Sequence, residues 1–146
     1  MVTTADLHTT TAARLRGVQQ RYTTKRRALV DLLADASQPL AIADILSRGD
    51  SLAQSSVYRN LVVLEQAAVV RRVIGTDDYA RYELAEDLTE HHHHLICSSC
   101  GSIDDFIASR GLERTVAKTL SEIAKATGFD AQHHRIDLIG VCTRCA

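Results

Sequence analysis

Tryptophan is absent from the 146 residues, and aromatic side chains make up only 4% of them. The core therefore has to be assembled from Leu, Ile, Val and Ala. No apolar run approaches the ~20 residues needed to cross a bilayer, so no membrane partner is expected. The formal net charge is -1, which rules out a chain that binds polyanions along its whole length. No secretory leader is recognisable, so the expectation is a cytoplasmic protein with reduced thiols and no disulfides. Two enzyme patterns are also missing. There is no His-Glu-x-x-His, and no His-x-Glu paired with Pro-Cys-x-x-Cys. A zinc enzyme is therefore the weaker reading, and no small organic substrate is expected.

What is present is concentrated. The four cysteines form two Cys-x-x-Cys pairs, Cys97/Cys100 and Cys142/Cys145, separated by 41 residues. The short spacing within each pair lets both sulfurs reach one ion, and two such pairs close a tetrahedral thiolate site whose usual occupant is structural zinc. An iron–thiolate site is chemically open. A redox role would need only one pair. Four thiolates leave no open position, so such a site is structural rather than catalytic. The long interval between the pairs suggests a small subdomain within it.

His91-His92-His93-His94 runs directly into the first pair. If this stretch is a strand, successive side chains alternate between faces. His91 and His93 then share one face, and His92 and His94 the other, so one strand can feed two metal sites.

Charge is uneven. Six Lys/Arg and no acid lie between Arg14 and Arg27, whereas Asp77 to Glu90 is mostly acidic. A basic half facing nucleic acid and an acidic half facing metal would produce this pattern. Residues 1–10 read as a loose tail, and 11–20 as a short helix. Thr23 is a good N-cap for a helix carrying Leu29, Leu32, Leu33 and Ala36 at helical spacing, stopped near Pro39. Ile42, Ile45 and Leu46 mark a second short helix, ended near Gly49. A third is capped by Asp50 or Ser51, with Gln54 completing a capping box. It places Ala53, Val57, Leu61 and Leu64 on a core face. Ser55, Ser56 and Arg59 fall opposite, flanked by Tyr58, in the half that a recognition helix presents to base edges. Val69–Ile74 and Tyr79–Leu84 read as a hairpin. Three helices and a hairpin make a winged helix-turn-helix. After an acidic 85–90 come a strand over 93–97, a strand over 102–107, a helix carrying Val116, Leu120, Ile123 and Ala124, and a last edge strand over 135–141. The fold class is α+β: an N-terminal winged helix over 1–84, then a small α/β dimerisation domain over 85–146. The second unit is too small to bury a full core alone, so zinc and a second copy would both help it.

Taken together, Thr23-x-x-Arg26, Ser56-Val57-Tyr58-Arg59-x-Leu61, the histidine run, Leu95-Ile96-Cys97-x-x-Cys100-Gly101 and Cys142-x-x-Cys145 resemble the ferric uptake regulator family. The resemblance spans about residues 15 to 146. It implies a homodimeric metal-sensing repressor that binds double-stranded operator DNA. Tyr58 and Arg59 match the pair that contacts base and backbone, and Arg21 a basic position near the minor groove. Cys97, Cys100, Cys142 and Cys145 match the structural zinc ligands. His92 and His94 match the sensing site, with Glu83 as its carboxylate and Glu86, Asp87 or Glu90 as substitutes. His91, His93 and His134 match a further site. Its helix carboxylate aligns with Ala117, and Glu113 is the nearest replacement. Pro39 and Arg71 stand where other members often have a metal ligand. Two imidazoles and one or two carboxylates suit Zn2+, Fe2+ or Mn2+ as the regulatory ion, and affinity order favours Zn2+. A peroxide sensor or a metal buffer on the same scaffold are the alternatives.

Overall fold

The computed structural model describes residues 2–49 and 52–146. The first correction is at the N-terminus. Residues 4–10 are helical, not a tail: α1 runs Thr4–Gly17. Thr3 caps it by accepting the Asp6 N–H at 3.1 Å, and the Asp6 carboxylate accepts the Thr3 backbone N–H at 3.4 Å. This is a reciprocal capping box. Its buried stripe is Leu7, His8, Thr11 and Leu15. Two of these are polar, so an apolar-period reading passes over it. His8 bonds the Tyr22 hydroxyl at 2.6 Å and the Asp31 carboxylate at 2.9 Å, which ties α1 to the next helix.

The winged helix then follows the expected order. Thr23 caps α2 (Thr24–Asp35), Gly49 ends α3 (Ile42–Arg48), and α4 is Gln54–Gln66. The proposed cap at Asp50 or Ser51 lies outside the described residues. Ala53 is the N-cap residue of α4 and is exposed, so it does not belong to the core face. A two-residue strand, β1 (Leu40–Ala41), joins β2 (Val70–Ile74) and β3 (Ala80–Leu84) in an antiparallel sheet of order β1-β3-β2. Leu15, Leu29, Val30, Leu40, Ile45, Val57, Leu61, Leu64 and Val69 are fully buried and form the main core. Leu88, in a short 3-10 turn over Glu86–Leu88, packs into the same core.

The second sheet has the order β5-β4-β6. β4 (His93–Cys97) pairs antiparallel with β5 (Ile103–Phe106) and parallel with β6 (Asp137–Gly140). α5 (Arg110–Thr127) starts at the Ser109 cap and ends at Gly128, whose φ of 72° is the left-handed conformation glycine adopts without penalty. Although α5 is strongly amphipathic, none of its residues is buried. Val73 of β2, Ile96 of β4 and Ile103 of β5 make a second, smaller apolar cluster between the two sheets. Above it the Thr76 hydroxyl donates to the Cys97 carbonyl at 3.0 Å. Among the described residues no helix is long and apolar enough to cross a membrane.

Because α1 is part of the core, Leu15→Ala should lose about 2–5 kcal/mol of unfolding free energy. Chemical denaturation checks this. A midpoint equal to wild type would mean that α1 is not docked in solution.

Candidate metal centres

The histidine strand alternates as its period requires, and each face builds its own cluster. Three groups of potential ligands occur among the described residues, each with its ligand atoms within 4.8 Å of one another.

In the first, Cys97 and Cys100 leave the end of β4, and Cys142 and Cys145 follow β6. The parallel pairing of β4 with β6 delivers both pairs to one point. All four cysteines are free. The sulfurs of Cys100 and Cys142 are 3.8 Å apart. A Zn–S bond of about 2.3 Å implies a tetrahedral edge of about 3.8 Å, so the spacing fits zinc and is far too long for a disulfide. Backbone N–H groups of Cys100 and Cys142 point at the Cys97 sulfur at 3.5 and 3.4 Å, and they pull its thiol down to about 6. The direction favours the thiolate, which is the form that ligates metal.

The second group is Glu83, His92, His94 and Asp105. Glu83 sits on β3 between Tyr82 and Leu84. Those two face the main core, so strand alternation turns Glu83 toward β4. Its Oε2 lies 3.1 Å from Nε2 of both His92 and His94. His92 Nδ1 faces the Glu90 carbonyl at 2.8 Å; a carbonyl can only accept, so Nδ1 carries a proton. Nε2 of a neutral His92 would then direct a lone pair at a carboxylate, and either a proton or a metal ion must lie between them. Without metal the proton takes that place: the hydrogen bond to Glu83 raises His92 to about 9. Burial alone would raise Glu83, but the two histidines and Arg71 outweigh it and hold its carboxyl well below the usual range. Asp105 Oδ1 is buried with no hydrogen-bond partner, 3.8 and 3.7 Å from the same two nitrogens. An acceptor with nothing to accept from, beside two imidazoles and a carboxylate, is a donor set that fits a divalent cation.

Sequence reasoning missed Asp105. The signal was the register: His94 pairs with Asp105 and Ile96 with Ile103, about a turn centred on the first Cys-x-x-Cys. Of the substitutes proposed for Glu83, none faces this cluster. Glu86 contacts His91, Asp87 pairs with Arg14, and Glu90 contributes only its carbonyl.

The third group is His91, His93, His134 and Glu113. Glu113 comes from the first turn of α5. Its Oε1 is 2.7 Å from His93 Nε2 and 3.5 Å from His91 Nε2, and its Oε2 is 3.1 Å from His134 Nε2. The His93 hydrogen bond lowers the Glu113 carboxyl. Glu86 contacts Nδ1 of His91 and so aims Nε2 into the group.

The face of α4 expected to meet nucleic acid needs a correction. Ser56 is only 7% exposed, and its hydroxyl and carbonyl accept from the Asn60 amide, so it lies on the inner side of α4. Ser55, Tyr58 and Arg59 are exposed on the outer side. Arg21 is exposed as well. Arg26 is part-buried: Nε donates to Asn60 at 3.0 Å and Nη1 to the Arg21 carbonyl at 2.6 Å, so it braces α2 against α4.

Comparison with known proteins agrees with this architecture. The Ferric uptake regulator family pattern matches residues 17–139. The chain belongs to the ferric uptake regulator family. It is 31% identical over 138 residues to the peroxide-responsive repressor PerR of Staphylococcus epidermidis, covering 91% of this chain and 86% of that protein. The peroxide operon regulator of Bacillus subtilis is 29% identical over 130 residues, covering 86% and 84%. In fold, the chain superposes on the Helicobacter pylori ferric uptake regulator Fur with a TM-score of 0.74 at 24% identity, covering 98% of this chain and 93% of that one. A zinc-bound manganese uptake regulator gives a TM-score of 0.63 at 27% identity, covering 93% and 98%. Ferric uptake regulator proteins are DNA-binding, metal-binding transcription regulators, not enzymes.

Cys100→Ser should lose about one zinc per chain and lower the thermal midpoint, since structural zinc binding and folding are one equilibrium. Elemental analysis with a melt decides it. A variant that keeps its zinc would remove the four-sulfur assignment.

Proposed function

We propose that the chain is a cytoplasmic homodimeric repressor. Its grip on operator DNA is set by a divalent ion, Zn2+ in the first reading, at Glu83, His92, His94 and Asp105. The single observation that carries this is the parentage of the ligands. Glu83 belongs to the last strand of the winged helix, whereas His94 and Asp105 belong to the second sheet and His92 lies one residue before β4. In this proposal residues 1–84 are the DNA-binding domain and 85–146 the dimerisation domain, and the cluster spans their boundary. A bound ion supplies the positive charge that four convergent donors share. The chain's own contribution is to fix the donors: β3 holds Glu83, β4 holds His94 and, just before its first residue, His92, and β5 holds Asp105. Holding them together sets the angle at which each winged helix leaves the dimer. Two recognition helices enter successive major grooves only when about one helical turn, ~34 Å, apart. Ser55, Tyr58 and Arg59 on α4, with Arg21, form the face offered to DNA. By linkage, operator DNA tightens ion binding by the factor the ion tightens DNA binding. The four cysteines carry a structural zinc, and the His91 group a further ion.

The same scaffold supports a second reading, an iron- or manganese-dependent peroxide response. Asp105 favours it, because a second carboxylate moves the donor set toward the oxygen-rich sites that Fe2+ and Mn2+ accept. Two relatives are also named for peroxide response. Loading metal-depleted protein with each ion and challenging the complexes with peroxide separates the readings.

Dimerisation accounts for α5. Its apolar stripe is uncovered in one chain, with Leu112 at 43% and Ile123 at 47% exposure. Leu138, Ile139 and Val141 at the edge of the second sheet are also exposed. A second copy would cover both.

Two measurements test the proposal. A His92→Ala/His94→Ala protein should keep its thiolate zinc and its dimer, yet lose metal-dependent binding to promoter fragments selected by the wild type. If metal still switches its DNA binding, the switch lies elsewhere. Ile123→Asp should give a folded monomer in sedimentation; an intact dimer would place the interface away from α5.

A further inference from the structure

Arg71 sits on β2 directly opposite Glu83 on β3. Its Nε donates to Glu83 Oε1 at 2.6 Å, leaving Oε2 alone to face the two histidines. Its Nη1 lies 3.6 Å from Glu86 Oε2, and the other oxygen of Glu86 contacts His91. One guanidinium thus faces a carboxylate of the first histidine cluster and a carboxylate that contacts His91 of the second. The pair is not an ordinary surface ion pair. The Glu83 side chain is 8% exposed and that of Arg71 30%, so solvent screens the charge weakly.

We propose that Arg71 sets the metal affinity of the Glu83–His92–His94–Asp105 cluster and links it electrostatically to the His91–His93–Glu113–His134 cluster. The inference rests on reading both clusters as metal sites. Two effects of Arg71 oppose each other. It positions Glu83, which aids binding, and it places a fixed positive charge within a few ångströms of where a dication must sit, which weakens binding. The second effect wins, because charges at that range interact more strongly than the gain from orienting one side chain that β3 and two histidines already hold. Arg71 also limits Glu83 to one free oxygen. The link to the second cluster runs through Glu86. An ion beside Glu83 competes with the guanidinium for that carboxylate and frees it toward Glu86. Glu86 is then drawn from His91, whose ring it orients. Filling the first cluster therefore weakens the second.

The test is metal titration of thiolate-zinc protein with Co2+ against a competing chelator. Each cluster is isolated by His93→Ala/His134→Ala or by His92→Ala/His94→Ala. Arg71→Gln should tighten the first cluster by about tenfold or more. Arg71→Lys, which keeps the charge, should stay near wild type. A merely structural role predicts the opposite sign, a loss of affinity in both variants. In protein with both clusters intact, filling the first should weaken the second, and Arg71→Gln should reduce that effect. Unchanged or weaker binding at the first cluster in Arg71→Gln would overturn the affinity role, and coupling that survives at full strength would overturn the link. Wild-type protein that binds no Co2+ at either cluster would instead defeat the metal-site reading itself, and the proposal with it.

Discussion

Glu83 is a carboxylate at 6% exposure, and a buried carboxylate is tolerated only where charge of the opposite sign meets it. Arg71 across the hairpin supplies that charge, and His92 and His94, from the other half of the chain, bring ring nitrogens to the second oxygen. The cost of leaving that charge unmatched is what holds the wing strand against the histidine strand. It also means that the space between them is charged whether or not metal is present. The hydrogen bond to Glu83 raises the His92 imidazole, which favours a proton in the place an ion would take. In the proposed switch the ion would take over that place, and its donors would be Glu83, His92, His94 and Asp105 together.

The chemistry of the clusters was legible because it rests on two short-range regularities. Cys-x-x-Cys spacing brings two sulfurs to one point, and the two-residue period of a strand sends alternate histidines to opposite sides. Both survive any tertiary context. What escaped depended on long-range pairing. Asp105 reads as an ordinary acid in Ile-Asp-Asp-Phe until the hairpin register sets it beside His94. β1 has two residues and exists only because β3 offers an edge. Glu113, one helical turn before Ala117, lies among His91, His93 and His134.

The errors share a cause as well. α1 buries His8 and Thr11 on its inner face, and Ser56 lies on the inner face of α4. For two of them a specific partner makes the core position possible: Tyr22 and Asp31 for His8, Asn60 for Ser56. Apolar periodicity cannot register such positions, since the partner comes from a different turn or element. The reverse holds for α5, whose apolar stripe is plain in the sequence yet is nowhere buried among the described residues.

The wing turn and the first cysteine turn are matched pieces. Thr76 bonds the Cys97 carbonyl, Gly75 lies against Ile103, and a Cβ on Gly101 would fall 2.1 Å from the Asp77 carboxylate. Arg81 grips that carboxylate through both its oxygens, so it cannot swing aside freely. The two turns are 20-odd positions apart in the chain but fit like a key and its ward. A residue added to the wing, or any side chain at position 101, would have to be answered on the other turn. The length of the wing turn is therefore dictated by the turn that carries Cys97 and Cys100.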